Sequence, residues 1–173
     1  MGPKHSGKTS TGRELAKLLK YIFFDLDVLI EERTGQSPRD LYNAGPELFR
    51  REEEAALASL FNKKSDCPGI ILALGGGIID NSGAMDLIKK EMTVFEKYCT
   101  LYLELSAETA WQRITDQVEL PLFLTAETPA ESKEKHRQLH ERRAKGYKKI
   151  AMYSIQSEGK TAVELASEIA AKL

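Results

Sequence analysis

Residues 2–9 read Gly2-Pro3-Lys4-His5-Ser6-Gly7-Lys8-Thr9, and this stretch decides the fold of the 173-residue chain. It matches the pattern G-x-x-x-x-G-K-[ST], whose glycines let the backbone bend so that several N–H groups point at one anion. An apolar stripe with helical spacing follows, formed by Leu15, Ala16, Leu18 and Leu19. The positive end of that helix would face the same anion. The stretch therefore predicts a phosphate-binding loop, or P-loop, at the start of an α-helix.

The side chains of the P-loop predict how it holds a nucleotide. We expect Lys8 to reach the β and γ phosphates of ATP and the Thr9 hydroxyl to bind magnesium. The rest of the loop is predicted to surround the phosphates, through Gly2, Lys4, His5, Ser6 and Gly7. A chance match is expected on the order of 1% of the time in a chain of this length, and the helix that follows argues against one.

Apolar strands and amphipathic helices alternate along the rest of the chain, which predicts an α/β fold. Strands are predicted at 21–24, 69–74, 99–105 and 150–155. Helices are predicted at 7–19, 28–33, 46–63, 82–90, 107–115, 131–149 and from 161 to the end. We expect one domain over residues 1–173, with a parallel central sheet between two helical layers. Ligands then bind beyond the carboxyl ends of the strands.

Two segments depart from this simple alternation. A P-loop follows a buried strand, yet the sequence begins at Met1, so we expect the first strand to be absent from this N-terminus. Residues 116–130 contain two prolines and no clear period, which predicts a mobile lid.

Composition excludes several classes of protein. The formal net charge is -1, with 25 Lys and Arg against 26 Asp and Glu, so no nucleic-acid partner is expected. No run of about 18 apolar residues occurs, so no membrane span is expected. Cys67 and Cys99 form neither a CxxC motif nor a zinc pattern, which favours a reducing cytoplasm. His136 and His140 lie four apart, but no third metal ligand is evident.

Two acidic residues end the first predicted strand. Asp25 and Asp27 alternate there, so their side chains point in different directions. One could face a metal and the other a substrate. Alternatively, Asp27 could cap the helix that follows. The residues alone leave both interpretations open.

Three further features could serve an acceptor substrate. Arg50 and Glu53 share a helix face, either as a surface ion pair or as a carboxylate-binding Arg oriented by Glu53. Gly75, Gly76 and Gly77 follow a buried strand, where they form a tight turn or allow a ligand to approach the backbone. Arg143 ends a charged helix and could equally be exposed to solvent.

Five segments together resemble the shikimate kinase family: GPKHSGKT, FFDLDVLIEERTG, GPELFRREEE, LALGGG and RAKGYKKIA. The resemblance runs from Gly2 to about Ala151, with the motifs in family order. It implies a P-loop NTPase fold like that of nucleoside monophosphate kinases, with a lid. It also implies ATP and Mg²⁺ as cofactors, transfer of the γ-phosphate to the 3-hydroxyl of shikimate, and a monomer.

The resemblance also implies roles at the phosphate site. Lys8 and Thr9 would serve the ATP phosphates and magnesium. Asp25 would hold the metal through water. Asp27 would hydrogen-bond the attacking hydroxyl as a base or positioning group. Arg113 would pack on adenine.

On the acceptor side, the resemblance implies that Arg50 and Arg143 surround the substrate carboxylate. Gly76 and Gly77 would let the backbone approach the substrate ring, next to Gly75.

One position departs from the family pattern. The family's lid usually carries Arg immediately before a Pro-Leu pair, where this chain has Leu120. A cation there can contribute several orders of magnitude in rate. Either Lys4, Lys133 or Arg137 substitutes, or turnover is slow. The alternatives to an active shikimate kinase are therefore a binding homologue with weak or lost catalysis and a kinase for another small hydroxy acid.

Overall fold

A computed structural model of the chain describes residues 1–62, 69–94, 98–116, 120 and 124–173. Four strands are described: β1 (Ile22–Asp25), β2 (Ile70–Ala73), β3 (Leu101–Glu104) and β4 (Tyr153–Gln156). The first four helices are α1 (Lys8–Leu19), α2 (Leu26–Thr34), α3 (Pro38–Ala44) and α4 (Pro46–Asn62). They are followed by α5 (Ser82–Val94), α6 (Ala107–Thr115), α7 (Pro129–Ile150) and α8 (Ala162–Ala170). A short 3₁₀ turn covers Ile78–Asp80.

The described strands pair in parallel, as the alternation of strands and helices predicts. β1 pairs with β2, with Ile22 opposite Ile70 and Asp25 opposite Ala73. β3 pairs with β4 in a second two-stranded sheet. The backbone of Met1 also joins β3, because the Leu103 N–H donates to the Met1 carbonyl at 2.9 Å. The carboxyl ends of β1 and β2 lead to Asp25 and to the glycines at 75–77.

Helices lie on both faces of the sheet formed by β1 and β2. Successive side chains of a strand point to opposite faces, and β2 shows this directly. Ile71 packs against one apolar cluster, formed by Leu15, Leu103, Ile155, Leu165, Ala166 and Ile169. Leu72 packs against another, which includes Leu26, Ile30, Leu57 and Ile78. The predicted αβα layers are confirmed.

Side-chain caps fix where several helices begin. Thr161 forms the predicted capping box with Glu164, and Thr128 forms another with Glu131 at the start of α7. Ser106 caps α6 through the Thr109 N–H. Each cap satisfies N–H groups that have no partner within the helix.

Some predicted boundaries were wrong. Helix α3 was not predicted, although Ser37 caps it and Pro38 occupies its first turn. Helix α2 begins at Leu26 rather than Val28, so Asp27 lies in the first helical turn and not on a strand end. Residues 129 and 130, assigned to the lid, belong to α7. Residue 63, Cys67 and lid residues 117–119 and 121–123 lie outside the described residues.

Two other expectations concern the whole chain. None of the helices in the described ranges is both long and apolar enough to cross a membrane. The expectation that the first strand is absent from this N-terminus stays a prediction.

Candidate active site

The P-loop bends where the sequence places glycine. A Cβ atom at Gly2 would lie 2.6 Å from the Leu103 carbonyl oxygen, so no larger residue fits without a shift. Gly7 has a φ of 87°, in the left-handed region that favours glycine. The Gly7 carbonyl then accepts from the Thr11 N–H at 2.8 Å, which starts α1. The loop is thus fastened to β3 at one end and to α1 at the other.

The Lys8 ammonium lies across the mouth of this loop. Its Nζ donates to the Pro3 carbonyl at 2.7 Å. Burial lowers the pKa of Lys8 to about 8, although the charges of Asp27 and Asp25 oppose that shift. At neutral pH Lys8 is therefore mostly a cation, placed where the predicted phosphates would lie.

Thr9 and Asp25 bring two side-chain oxygens together at the start of α1. The Thr9 hydroxyl donates to Asp25 Oδ2 at 2.6 Å. The described residues contain no cluster of three or more His, Cys, Asp or Glu side chains that could hold a metal by themselves. Mg²⁺ does not need one, because it keeps several waters and takes one or two protein oxygens beside the phosphates of a nucleotide. The Thr9–Asp25 pair fits that requirement.

Asp27 lies next to this pair, and it does not cap α2. The cap is Asp25, whose Oδ1 accepts from the Asp27 N–H at 3.1 Å. Desolvation in the cleft raises the pKa of Asp27, and the charge of Asp25 raises it further. The charges of Lys8 and Lys4 act in the opposite direction. Asp27 therefore lies near the two P-loop lysines, and its Oδ1 lies next to Gly75.

The three glycines at 75–77, here called the glycine loop, join the two halves of the site. A Cβ at Gly75 would lie 3.2 Å from Asp27 Oδ1, and one at Gly76 would lie 3.3 Å from the backbone nitrogen of Lys4. A Cβ at Gly77 would lie 3.5 Å from Arg143 Nη2. Side chains at the first two positions would be crowded, so the backbone of the glycine loop lies close to the P-loop and to Asp27. The Ile78 N–H also donates to the Gly75 carbonyl at 3.2 Å, so the segment is a turn as well.

Arg143 is largely covered rather than exposed. Its side chain is 22% exposed, and its Nε donates to Asp80 Oδ2 at 2.8 Å. The neighbouring Arg142 donates to both carboxylate oxygens of Asp80, at 2.6 and 3.0 Å. Arg143 thus reaches from α7 to the glycine loop.

Arg50 is held differently from the predicted clamp. Its Nη1 pairs with Glu47 at 3.1 Å, and its side chain is 40% exposed. Neither interpretation of Arg50 and Glu53, as a surface ion pair or as an Arg oriented by Glu53, matches these contacts, because Glu53 is only 2% exposed and the Asn81 amide donates to its Oε2 at 3.1 Å. Arg50 and Arg143 nevertheless both lie near Glu53, since the charge of each stabilises the ionised carboxylate.

Comparison with known proteins identifies this arrangement. The family model described as shikimate kinase matches residues 4–173. The shikimate kinase of Vibrio parahaemolyticus is 33% identical, over 98% of this chain and 91% of its own length. The shikimate kinase of Coxiella burnetii strain Dugway 5J108-111 is 34% identical, over 98% of this chain and 88% of its own. The chain belongs to the shikimate kinase family.

A solved structure agrees with that assignment. The shikimate kinase from Acinetobacter baumannii in complex with shikimate is 30% identical and superposes with a TM-score of 0.80. The match covers 98% of this chain and 87% of the other. The fold of this shikimate kinase family member is therefore that of the P-loop kinases.

Arg113 connects α6 to the P-loop of this shikimate kinase family member. Its Nη1 donates to the His5 carbonyl at 2.7 Å. His5 has a φ of 62°, which is rare for a residue other than glycine. The hydrogen bond from Arg113 helps to hold that bend. Packing of Arg113 against adenine stays a prediction.

The lid position that departs from the family pattern is within the described residues. The Leu120 carbonyl accepts from Arg39 Nη2 at 3.4 Å, so α3 reaches the lid. Of the three cations proposed to replace the lid Arg, Lys133 pairs with Glu108 and Arg137 pairs with Glu134 and Glu141 on the exposed face of α7. Lys4 lies in the P-loop, and burial and the charge of Arg39 lower its pKa.

Sequence reasoning missed three residues around the glycine loop. Asn81 caps α5 by accepting from the Ala84 N–H, and it binds both Glu53 and the Arg50 carbonyl. Asp80 holds Arg143, and the buried Tyr147 hydroxyl donates to the Gly76 carbonyl. The polar pair Asp80-Asn81, which begins three residues after Gly77, was the available signal.

Glu53 is expected to make the stability of this family member depend on pH. Burial is the main reason that the pKa of Glu53 rises from 4.5 to about 7, and the Asn81 hydrogen bond opposes it. Between those values the folded protein keeps a proton that the unfolded chain releases, so the free energy of unfolding falls as pH rises. Glu53→Gln should remove that slope and stabilise the protein at pH 8 by up to about 3 kcal/mol.

Urea unfolding of both proteins from pH 4.5 to 8 measures this effect. Glu108→Gln is the control, because Glu108 is 71% exposed and should leave the slope unchanged. A wild-type protein that is more stable at pH 8 than at pH 5, by an amount that Glu53→Gln abolishes, contradicts the prediction.

Proposed function

We propose that this protein transfers the γ-phosphate of ATP to the 3-hydroxyl of shikimate, with Mg²⁺ as the metal. One observation carries the proposal: the glycine loop lies against the P-loop at Lys4 and against Arg143 on its other side. A nucleotide cradle and a cationic pocket therefore share one short segment of backbone. The relative from Acinetobacter baumannii, solved in complex with shikimate, supports the choice of acceptor.

In this proposal, the P-loop amides and Lys8 bind the phosphates, and Arg113 packs on the adenine. Thr9 and Asp25 would hold Mg²⁺, which neutralises negative charge on the phosphates when it is bound. Phosphoryl transfer depends mostly on positioning and on charge neutralisation. Lys8 supplies positive charge at the loop, and the fixed backbone of the loop keeps the donor in place.

Asp27 would accept a hydrogen bond from the attacking hydroxyl and take its proton as the new bond forms. Its position beside Lys8 and Lys4 supports this role, because a hydroxyl held at Asp27 faces the P-loop. Arg50 and Arg143 would bind the substrate carboxylate. A neutral sugar would offer no carboxylate to those guanidinium groups, which disfavours it.

A coupled assay for ADP release tests the proposal directly. ADP release that depends on both shikimate and Mg²⁺ is expected. Quinate and gluconate in the same assay test the acceptor class, and both should be poorer substrates than shikimate. Absence of shikimate-dependent ADP release, with ATP still bound, would rule out this function.

A second candidate is a homologue that binds shikimate and nucleotide but turns over slowly. Leu120 favours it, since an apolar side chain stands where the family usually has Arg. Calorimetry separates the two candidates. Tight shikimate binding with negligible ADP release supports the second, and rapid release excludes it.

The remaining expectations concern the protein's surroundings. We propose a monomer that acts on small molecules in the cytoplasm, where ATP is available, without a nucleic-acid partner. The nearly neutral net charge supports the last point.

A further inference from the structure

Asp80 fastens Arg143 to the glycine loop by two routes. Its side chain accepts from Arg143 Nε at 2.8 Å. Its backbone N–H donates to the Gly77 carbonyl at 2.9 Å, and Gly77 is the glycine that faces Arg143 Nη2. One residue therefore links both walls of the proposed carboxylate pocket.

The side of the guanidinium that Asp80 uses decides between two opposite roles. A carboxylate that occupied the outer edge of Arg143 would compete with a substrate carboxylate. Asp80 instead binds Nε, next to the aliphatic stem, while Nη2 faces Gly77. This geometry orients Arg143 towards the pocket, because a planar guanidinium held at Nε can no longer rotate freely.

The charge of Asp80 is also balanced without Arg143. Arg142 donates to both of its carboxylate oxygens, and the Asp80 side chain is only 15% exposed. Burial opposes ionisation of Asp80, but the Arg142 hydrogen bonds and the charge of Arg143 outweigh it and lower its pKa. Asp80 is therefore an anion at neutral pH, and Arg143 does not have to supply all of its counter-charge.

We propose that Asp80 is a positioning residue for carboxylate recognition: it holds Arg143 in the orientation that binds the carboxylate of the acceptor. The proposal rests on the proposed function. Asp80 does not touch the substrate; it acts through Arg143. Its removal should weaken binding of carboxylated acceptors and leave ATP binding and the transfer step nearly unchanged.

Steady-state kinetics of Asp80→Asn test this role, with shikimate and its uncharged methyl ester as acceptors. Preorganised contacts are sensitive to small displacements, so KM for shikimate should rise about tenfold. KM for ATP should be unchanged, and the preference for shikimate over the ester should shrink by the same factor. Asp86→Asn is the matched control, because Asp86 is 75% exposed and paired with Lys89 on α5.

Each outcome bears on the proposal. An unchanged KM for shikimate with a lower Tm would mean that Asp80 only joins α7 to the 3₁₀ turn. A lower KM for shikimate would mean that Asp80 competes with the substrate carboxylate for Arg143. Either result overturns the inference. In an Arg143→Ala background, Asp80→Asn should raise KM for shikimate no further, and an additional tenfold rise also overturns the inference.

If Asp80→Asn does not fold, Asp80→Glu keeps the charge but moves it by one methylene. KM for shikimate should then still rise severalfold, and an unchanged value overturns the inference.

The same experiment separates the two proposals. A wild-type protein without shikimate-dependent ADP release refutes the proposed function and the role of Asp80 together. Normal wild-type turnover with an unaffected Asp80→Asn variant refutes the role of Asp80 alone.

Discussion

Lys8→Ala is expected to lower kcat for shikimate phosphorylation by at least about a thousandfold, because it removes the P-loop cation. The Lys8 ammonium lies 2.7 Å from the Pro3 carbonyl, across the mouth of the loop. Its pKa of about 8 keeps it mostly protonated at pH 7. The partial burial of this charge makes Lys8 a candidate functional group.

Shikimate affinity should survive this substitution, since Arg143 and the glycine loop are untouched. Calorimetry measures the affinity for shikimate, and steady-state kinetics measure turnover. The circular dichroism spectrum checks that the variant keeps its fold. Lys17→Ala is the control on the same helix, because Lys17 is 71% exposed and paired with Glu14. Turnover within tenfold of the wild type would show that Lys8 only supports the shape of the loop.

The P-loop could be predicted from sequence because its requirements are local. Gly2 and Gly7 both adopt a positive φ, at 153° and 87°. Both needs appear as residue types at fixed spacing. The helix that follows adds its own apolar period, so the fold class followed from one short stretch and the alternation after it.

The acceptor pocket could be predicted only in part, because its contacts join distant parts of the chain. Arg50 and Glu53 are three residues apart on one helix face, which suggested that they pair. The structure instead turns Glu53 inwards to Asn81 and leaves Arg50 with Glu47. Helical spacing gives the face of a residue, but not the depth at which tertiary packing places it.

Asp80 shows the same limit from the other side. It lies 63 residues from Arg143 in sequence, so no local pattern could connect them. An aspartate shortly before a helix is ordinarily interpreted as a cap. Here the neighbouring Asn81 caps α5, which leaves the Asp80 carboxylate available for the two arginines.

Asp27→Asn is expected to lower kcat about a thousandfold with little change in the affinity for ATP, because it removes the proposed proton acceptor and keeps its shape. Asp25 caps α2, so the fold does not depend on the Asp27 carboxylate. Asp40→Asn is the control, since Asp40 lies exposed in the first turn of α3. Turnover of Asp27→Asn close to the wild-type value would show that Asp27 is only a neighbour of Lys8.

The pH dependence of kcat/KM gives an independent check on Asp27. Desolvation and the charge of Asp25 raise the pKa of Asp27, so its ionised form is lost at a higher pH than for an ordinary aspartate. Activity should therefore fall as pH drops through that raised pKa. Glu53, whose pKa is about 7 and whose charge interacts with that of Asp27, would add its own titration, so the profile is best measured in the Glu53→Gln background. An acid limb that persists unchanged when Asp27→Asn is added there must come from another group, and Asp27 would then not be the base.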